Sequence, residues 1–118
     1  MKPWHHAHIS AKQHGGKEED YLPLHNWLDQ TKSSHADMRH RTIFHNSLGP
    51  VIAEQVFGAT ITNSNGKIVL VRQLVEDHIM EDLGFIPNVT DYLAEMKLQP
   101  WMMGSKKRSK VIIGDDDE

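Results

Sequence analysis

Nine histidines occupy this chain of 118 residues, which contains no cysteine. Two of them stand four residues ahead of a carboxylate, His25 before Asp29 and His78 before Asp82. On a helix, positions i and i+4 share a face. Each pair therefore offers one ion an imidazole and a carboxylate, or lets the carboxylate orient the ring beside it. Neutral imidazole is the commonest metal ligand and the usual acid or base at neutral pH. His40 and His45 add two further rings. His6 and His8 could close a site from the N-terminal segment, because an extended His6-Ala7-His8 puts both rings on one side. The candidate ligands are thus His6, His8, His25, Asp29, His40, His45, His78 and Asp82. Arg39, Arg41 and Arg72 suit a phosphate or another anion. Glu54 and Glu76 are candidate general bases.

Each signal has a plainer counterpart. A single H-x-x-x-D is common, and two such pairs could simply cap or decorate helices. His40 falls on an apolar stripe, where a buried imidazole needs partners for both nitrogens and most often finds them on the backbone. His5 reads as part of a flexible arm, His14 and His35 as surface residues, and Asp77 and Glu81 as part of a solvated acidic face.

Composition narrows the classes. An apolar fraction of 38% and a charged fraction of 25% describe a soluble globular chain on the polar side. A net charge of -3 argues against a general nucleic-acid coat, which needs a basic surface. No apolar run approaches the roughly 20 residues that span a bilayer, and Met1-Lys2-Pro3-Trp4 lacks the apolar core of a signal peptide, so a cytoplasmic protein is expected. Without cysteine there are no disulfides and no thiolate sites. A divalent ion would meet only nitrogen and oxygen, which favours zinc, manganese, iron or nickel over copper(I) or an iron–sulfur cluster.

The elements that must position these residues are mostly helical. Pro3 and Gly15-Gly16 argue against one continuous helix over residues 1–16, leaving at most a turn near His5–Lys12. Acids at Glu18, Glu19 and Asp20 open a helix from about Glu19 to Lys32, with Pro23 confined to its first turn and Leu24, Trp27 and Leu28 as its stripe. Ser33-Ser34 reads as the cap of a second helix to about Ser47; on one straight helix His40 and His45 would diverge by about 140°. Pro50 opens a short helix that ends at Gly58. Two β-branched runs, Ala59–Thr62 and Lys67–Val71, flank Asn63-Ser64-Asn65-Gly66, a strong hairpin signal. Gln73–Leu83 forms a further helix closed by Gly84, and Thr90 caps a last one through Tyr92, Leu93 and Met96. From Gly104 the composition turns to a basic run and an acidic end. The expected architecture is a mainly α (α+β) protein: one compact domain over 1–103, a bundle of four to five helices with a hairpin near 59–71, followed by a flexible charged tail at 104–118.

The chain resembles an uncharacterised family of short, His-rich proteins of bacteria and phages. The resemblance rests on Gly15-Gly16 with Glu19-Asp20-Tyr21, on His25 with Trp27-Leu28-Asp29 and Lys32, and on Arg39-His40-Arg41 and His45. It continues through Glu54, Phe57-Gly58, Asn63-Ser64 with Gly66, Val71-Arg72, Glu76 with His78, Glu81-Asp82-Leu83-Gly84 and Ile86-Pro87. Asp91-Tyr92-Leu93 stands where the family tends to show Asp-Trp-Leu. The resemblance implies no particular activity; its phage members bring a host-directed role into view. A looser likeness links His25, His40, His45 and Asp82 to the HD-domain phosphohydrolases. The defining His-Asp dyad is missing, since His45 precedes Asn46 and Asp77-His78 runs in reverse, and the hairpin is foreign to that fold.

The leading expectation is therefore a small metal-binding protein acting as a metal-dependent hydrolase on a phosphate ester or nucleotide, with one or two divalent ions activating water and the arginines neutralising phosphate. The second is a non-catalytic protein that sequesters a small anionic ligand or blocks a host protein. Its unpaired hairpin edge invites a homo-oligomer. A third reading makes the histidines a polar core that only fixes the packing.

Overall fold

The computed structural model describes residues 1–35 and 37–104 of the chain. Five α-helices and one antiparallel hairpin lie among them: α1 Pro3–His14, α2 Glu18–Leu28, α3 Gly49–Phe57, strands β1 Thr60–Thr62 and β2 Ile68–Leu70, α4 Val71–Leu83 and α5 Val89–Leu93. Of three 3-10 segments, Gln30–Ser33 and Met38–Thr42 lie between α2 and α3, and Pro100–Met103 follows α5. The fold is mainly α with a small β element, as composition and periodicity indicate. Most of the charged tail expected at 104–118 lies outside the described residues.

The N-terminal segment corrects the expectation. Residues Pro3–His14 form one continuous helix. Pro3 occupies its first turn, where no N–H is required, and Gly15, at φ 86°, comes after its end. Both breakers bracket the helix instead of interrupting it. In α2 the acids Glu18, Glu19 and Asp20 fill the first turn, and the Asp20 carboxylate accepts from the Lys17 backbone N–H at 2.8 Å. Pro23 lies one turn deeper than expected, on the exposed side. There the helix forgoes one backbone hydrogen bond.

The expected second helix is only the 3-10 segment Met38–Thr42, capped by Asp37, whose carboxylate accepts from Arg39 N–H at 2.8 Å. Asn46 is the reason. Its Nδ2 donates to the carbonyls of Thr42 and Ile43, while its Oδ1 accepts from the N–H groups of Leu48 and Gly49. A side chain that takes over main-chain partners in this way ends one helix and starts the next. Gly49, which opens α3, lies so close to the Phe44 carbonyl that any Cβ would collide with it.

Hairpin register pairs Thr60 with Leu70, Ile61 with Val69 and Thr62 with Ile68. Asn63 fixes its loop by accepting from Asn65 and Lys67 N–H through Oδ1, with Gly66 at φ 82°. In α4 the buried residues Val71, Leu74, Val75, His78 and Ile79 follow the helical period, and Gly84 closes it in the left-handed conformation. Asn88, not Thr90, caps α5 through reciprocal bonds with Asp91.

Helix α1 packs on α2, α3 on α4, and α2 meets α4. The buried apolar set is small: Ala7, Tyr21, Leu24, Leu28, Ala53, Val69, Val71, Leu74, Val75 and Ile79. Trp27 extends it by stacking on Phe44 at 4.2 Å and meeting Phe57 edge-on at 5.8 Å. Four histidines, His6, His25, His45 and His78, are as fully buried as any of these. Imidazoles thus occupy the centre of the helical layer, where a domain of this size normally places aliphatic side chains.

Candidate metal centre

Four side chains from three segments converge: Asp29 at the C-terminal end of α2, His45 in the turns after Met38–Thr42, and His78 and Asp82 one turn apart on α4. One ligand atom from each lies within 4.8 Å of all the others. His78 Nε2 is 3.1 Å from His45 Nε2, 3.3 Å from Asp29 Oδ1 and 3.3 Å from Asp82 Oδ2. His45 Nε2 is 2.9 Å from Asp82 Oδ2 and 3.4 Å from Asp29 Oδ1. No side chain of the four is more than 5% exposed.

Two imidazole nitrogens and two carboxylate oxygens, all buried, converge on one point, and each offers a lone pair to a cation when both rings are neutral and bare at Nε2. The spacing agrees, because metal bonds of about 2.0–2.1 Å give a tetrahedron with edges of about 3.3–3.4 Å. The buried cluster of Asp29, His45, His78 and Asp82 could therefore hold a metal ion.

A second layer surrounds these atoms. Asp82 Oδ1 faces His6 Nε2 at 3.1 Å, the amino group of Met1 at 3.3 Å and Arg41 Nη2 at 3.7 Å. His6 Nδ1 reaches Glu81 Oε1 at 2.7 Å. Lys32 Nζ lies 3.6 Å from Asp29 Oδ2. His25 Nδ1 is 2.8 Å from His78 Nδ1, and its Nε2 is 2.9 Å from Ser10 Oγ. The His6 ring stacks on His78 with centroids 3.6 Å apart.

The electrostatics favour positive charge at the centre. Burial alone would raise the Asp82 carboxyl, but His45, His6 and His78 outweigh it and hold the group well below the usual carboxylate range. Asp29 follows the same balance: burial raises it, while His45 and His78 beside it bring it well below that range. For His45, burial opposes the proton, yet Asp29 and Asp82 raise it above an ordinary histidine. His6 is raised in the same way by Asp82 and Glu81. His25 goes the other way, pushed down to about 2 by burial first and then by the fields of His78 and His6.

The remaining candidates stand elsewhere. His8 pairs with Glu18 at the exposed surface, because on a helix two residues of separation turn it away from His6. His40 is buried, with Nδ1 donating to the Asp37 carbonyl at 2.7 Å; its ring approaches His45 at 6.3 Å without joining the cluster. His25 buttresses His78 and is not one of the four. Glu54 forms an exposed pair with Arg72 at 3.0 Å, and Arg72 sits six residues before His78, about 9 Å along α4. Glu76 precedes His78 by two residues and so lies on the far side of α4. Arg39 is engaged by Asp37 at 2.6 Å on the surface. Arg41 alone of the three arginines reaches the centre. Ser10 escaped the sequence reading, and Glu81, expected on a solvated acidic face, instead turns its carboxylate to buried His6. Their partners, His25 and His6, come from other helices, and the only local signal was the four-residue step from His6 to Ser10.

Residues 1–102 match a family model described as a domain of unknown function, DUF6915. The chain belongs to this family. No curated protein matches it, and no solved structure does. The adjacent His-Asp dyad of the HD-domain proteins has no counterpart in the cluster. Several residues on which the family resemblance rests form a joint away from the centre. Asp20 accepts from Ser64 N–H and Oγ–H, and Asn63 Nδ2 donates to the His14 carbonyl and the Tyr21 hydroxyl. This joint ties the hairpin loop to the corner between α1 and α2. Gly16 is required there, since a Cβ would meet Asp20 and Asn63. No helix among the described residues is long and apolar enough to cross a membrane.

Proposed function

We propose that this protein binds one divalent metal ion between Asp29, His45, His78 and Asp82, and that the ion fastens the fold. The carrying observation is the set of separations of 2.9–3.4 Å among the two Nε2 atoms and their carboxylate oxygens. The donor set of two imidazoles and two carboxylates suits zinc, iron, manganese or nickel. Two ionised carboxylates and two neutral rings balance a charge of +2. Four buried protein donors complete a tetrahedron, which is how structural ions are held, whereas catalytic ions keep a position open for water or substrate. A non-catalytic, metal-fastened protein is the reading this geometry supports best.

Metal-dependent hydrolysis of a phosphate ester or nucleotide is the second reading, favoured by one observation. A cleft of about 880 Å³ is lined by Thr31, Arg39, His40, Thr42 and Tyr92 among others. It approaches the centre through His40, whose ring contacts that of His45. Elemental mass spectrometry on untagged protein purified without chelator tests the main proposal. About one equivalent of a single metal per chain is expected. Protein that is metal-free and does not take up zinc, manganese, iron or nickel refutes it. A turnover screen on nucleotides and phosphodiesters with the retained metal then separates the two readings, because consumption of substrate would require the ion to open a coordination position.

A further inference from the structure

We infer that Ser10 and His25 form a buried relay that fixes the tautomer of His78, leaving its Nε2 lone pair free to face Asp29, His45 and Asp82. The use of the relay rests on the metal reading above; its hydrogen positions stand apart from that reading.

The chain of hydrogens starts at a carbonyl, which can only accept. Ser10 Oγ–H donates to the His6 carbonyl one turn back in α1, at 3.0 Å. A serine has one proton to give. The contact of 2.9 Å between Ser10 Oγ and His25 Nε2 therefore has His25 as the donor. A neutral imidazole with its proton on Nε2 has a bare Nδ1. That atom lies 2.8 Å from His78 Nδ1, so the proton between them belongs to His78. With its proton on Nδ1, neutral His78 presents a bare Nε2 to the centre, 3.1 Å from His45 Nε2 and 3.3 Å from each carboxylate oxygen.

Packing holds the rings in these roles. His78 stacks on His6 at 3.6 Å and 21° and lies at 19° to His25; turning its ring over would put carbons at both nitrogen positions, losing the contact with His25 Nδ1 and the approach of Nε2 to Asp29, His45 and Asp82. Ser10 is 3% exposed, and His25 and His78 are fully buried, so water does not supply a competing partner. Metal-binding histidines generally donate their second N–H to a carboxylate or a carbonyl, which fixes the ligating nitrogen. Here a neutral imidazole is the acceptor, and a serine set by its own helix decides the direction. Ser10 and His25 are positioning residues; neither reaches the ion.

Long-range ¹H–¹⁵N correlation spectra of the full, metal-free, ¹⁵N-labelled chain at pH 8 read each ring tautomer directly. Expected are the Nε2–H pattern for His25 and the Nδ1–H pattern for His78. In Ser10→Ala, His25 should become a mixture of tautomers. Zinc affinity, measured by chelator competition, should fall by roughly 10- to 100-fold in His25→Leu. His25→Asn should recover most of it, since its amide oxygen can accept from His78 Nδ1. Far-UV circular dichroism checks that the fold persists, and if His25→Leu fails to fold, the Ser10→Ala spectrum decides. A wild-type His78 protonated on Nε2 overturns the relay, as does wild-type zinc affinity in His25→Leu. Wild-type protein that binds no zinc would refute the metal reading, while the tautomer pattern would still decide the relay.

Discussion

Replacing Asp82 with Asn keeps the shape of the side chain and removes its charge. Asp82 is the most connected member of the centre: Oδ2 lies 2.9 Å from His45 Nε2 and 3.3 Å from His78 Nε2, and Oδ1 lies 3.1 Å from His6 Nε2. Structural zinc sites bind with about 10–16 kcal/mol at neutral pH. Shared among four ligands, one donor accounts for roughly 2.5–4 kcal/mol, or a loss of about 100- to 1,000-fold in affinity. The amide oxygen of Asn is a poorer ligand, and its NH₂ group would face a ring nitrogen or the ion, so the loss should lie in that range. Competition against a chromophoric chelator gives the affinity, and elemental analysis gives the stoichiometry. Glu54→Gln and Glu76→Gln serve as controls, because neither carboxylate lies in the cluster, and both should bind zinc as the wild type does. Wild-type affinity in Asp82→Asn would sink the four-ligand assignment, whatever happened to the fold.

Further expectations concern pH and packing. In metal-free protein, His6 and His45 are raised above the unfolded value of about 6.5, so their stabilisation is complete below that pH and is lost as pH rises through their folded values. His25, lowered to about 2, removes stability as pH falls below about 6.5, and the depressed Asp29 and Asp82 remove more once pH falls below about 4. Melting temperatures with chelator should therefore peak near pH 6.5, and added zinc should restore the alkaline side, by a margin that grows with pH; a flat profile would contradict this balance. Trp27→Ala removes the ring that stacks on Phe44 and meets Phe57 edge-on and should cost about 3 kcal/mol in urea unfolding at fixed metal concentration; a loss below 1 kcal/mol would show that these ring contacts contribute little. Asn63→Ala leaves the Asn65 and Lys67 N–H groups without their side-chain acceptor and the Tyr21 hydroxyl without its donor. It should cost about 2–4 kcal/mol, and it should leave zinc stoichiometry at the wild-type value, because the hairpin joint is separate from the centre.

What the sequence disclosed follows the range of its physical signals. Helix α4 was legible because Leu74, Val75, His78 and Ile79 keep the helical period and Gly84 stops it. The hairpin was legible from Asn65-Gly66 between two β-branched runs. The same local rule put His78 and Asp82 on one face, and both belong to the centre. It applied only in part to His25 and Asp29, because the helix ends between them. Asp29 is the C-cap at φ -101° and ψ 5°, so it turns into the cluster while His25 points at His78. Helix α1 was obscured because its breakers, Pro3 and Gly15, were read without their positions relative to the ends. The segment around His45 was obscured because Asn46 acts through hydrogen bonds that no hydrophobic period records. In the second layer the sequence offered His6, His25 and Arg41 as candidates but not their pairings, since His6 meets Glu81 across 75 residues and Asp82 across 76.

The positions of the four ligands along the chain carry one more consequence. An ion joining Asp29, His45 and His78 would close one loop of 16 residues and another of 33. In chain-entropy terms, a permanent cross-link over a loop of this size restricts the unfolded chain by roughly 3 kcal/mol. Secreted domains obtain that restraint from disulfides, and this chain has no cysteine with which to form one. A cross-link made of imidazole and carboxylate is indifferent to thiols. Reductant should leave the protein's melting temperature unchanged, whereas a chelator should act on it as dithiothreitol acts on a disulfide-bonded domain. Metal supply, not redox state, would then decide how much of this protein a cell keeps folded.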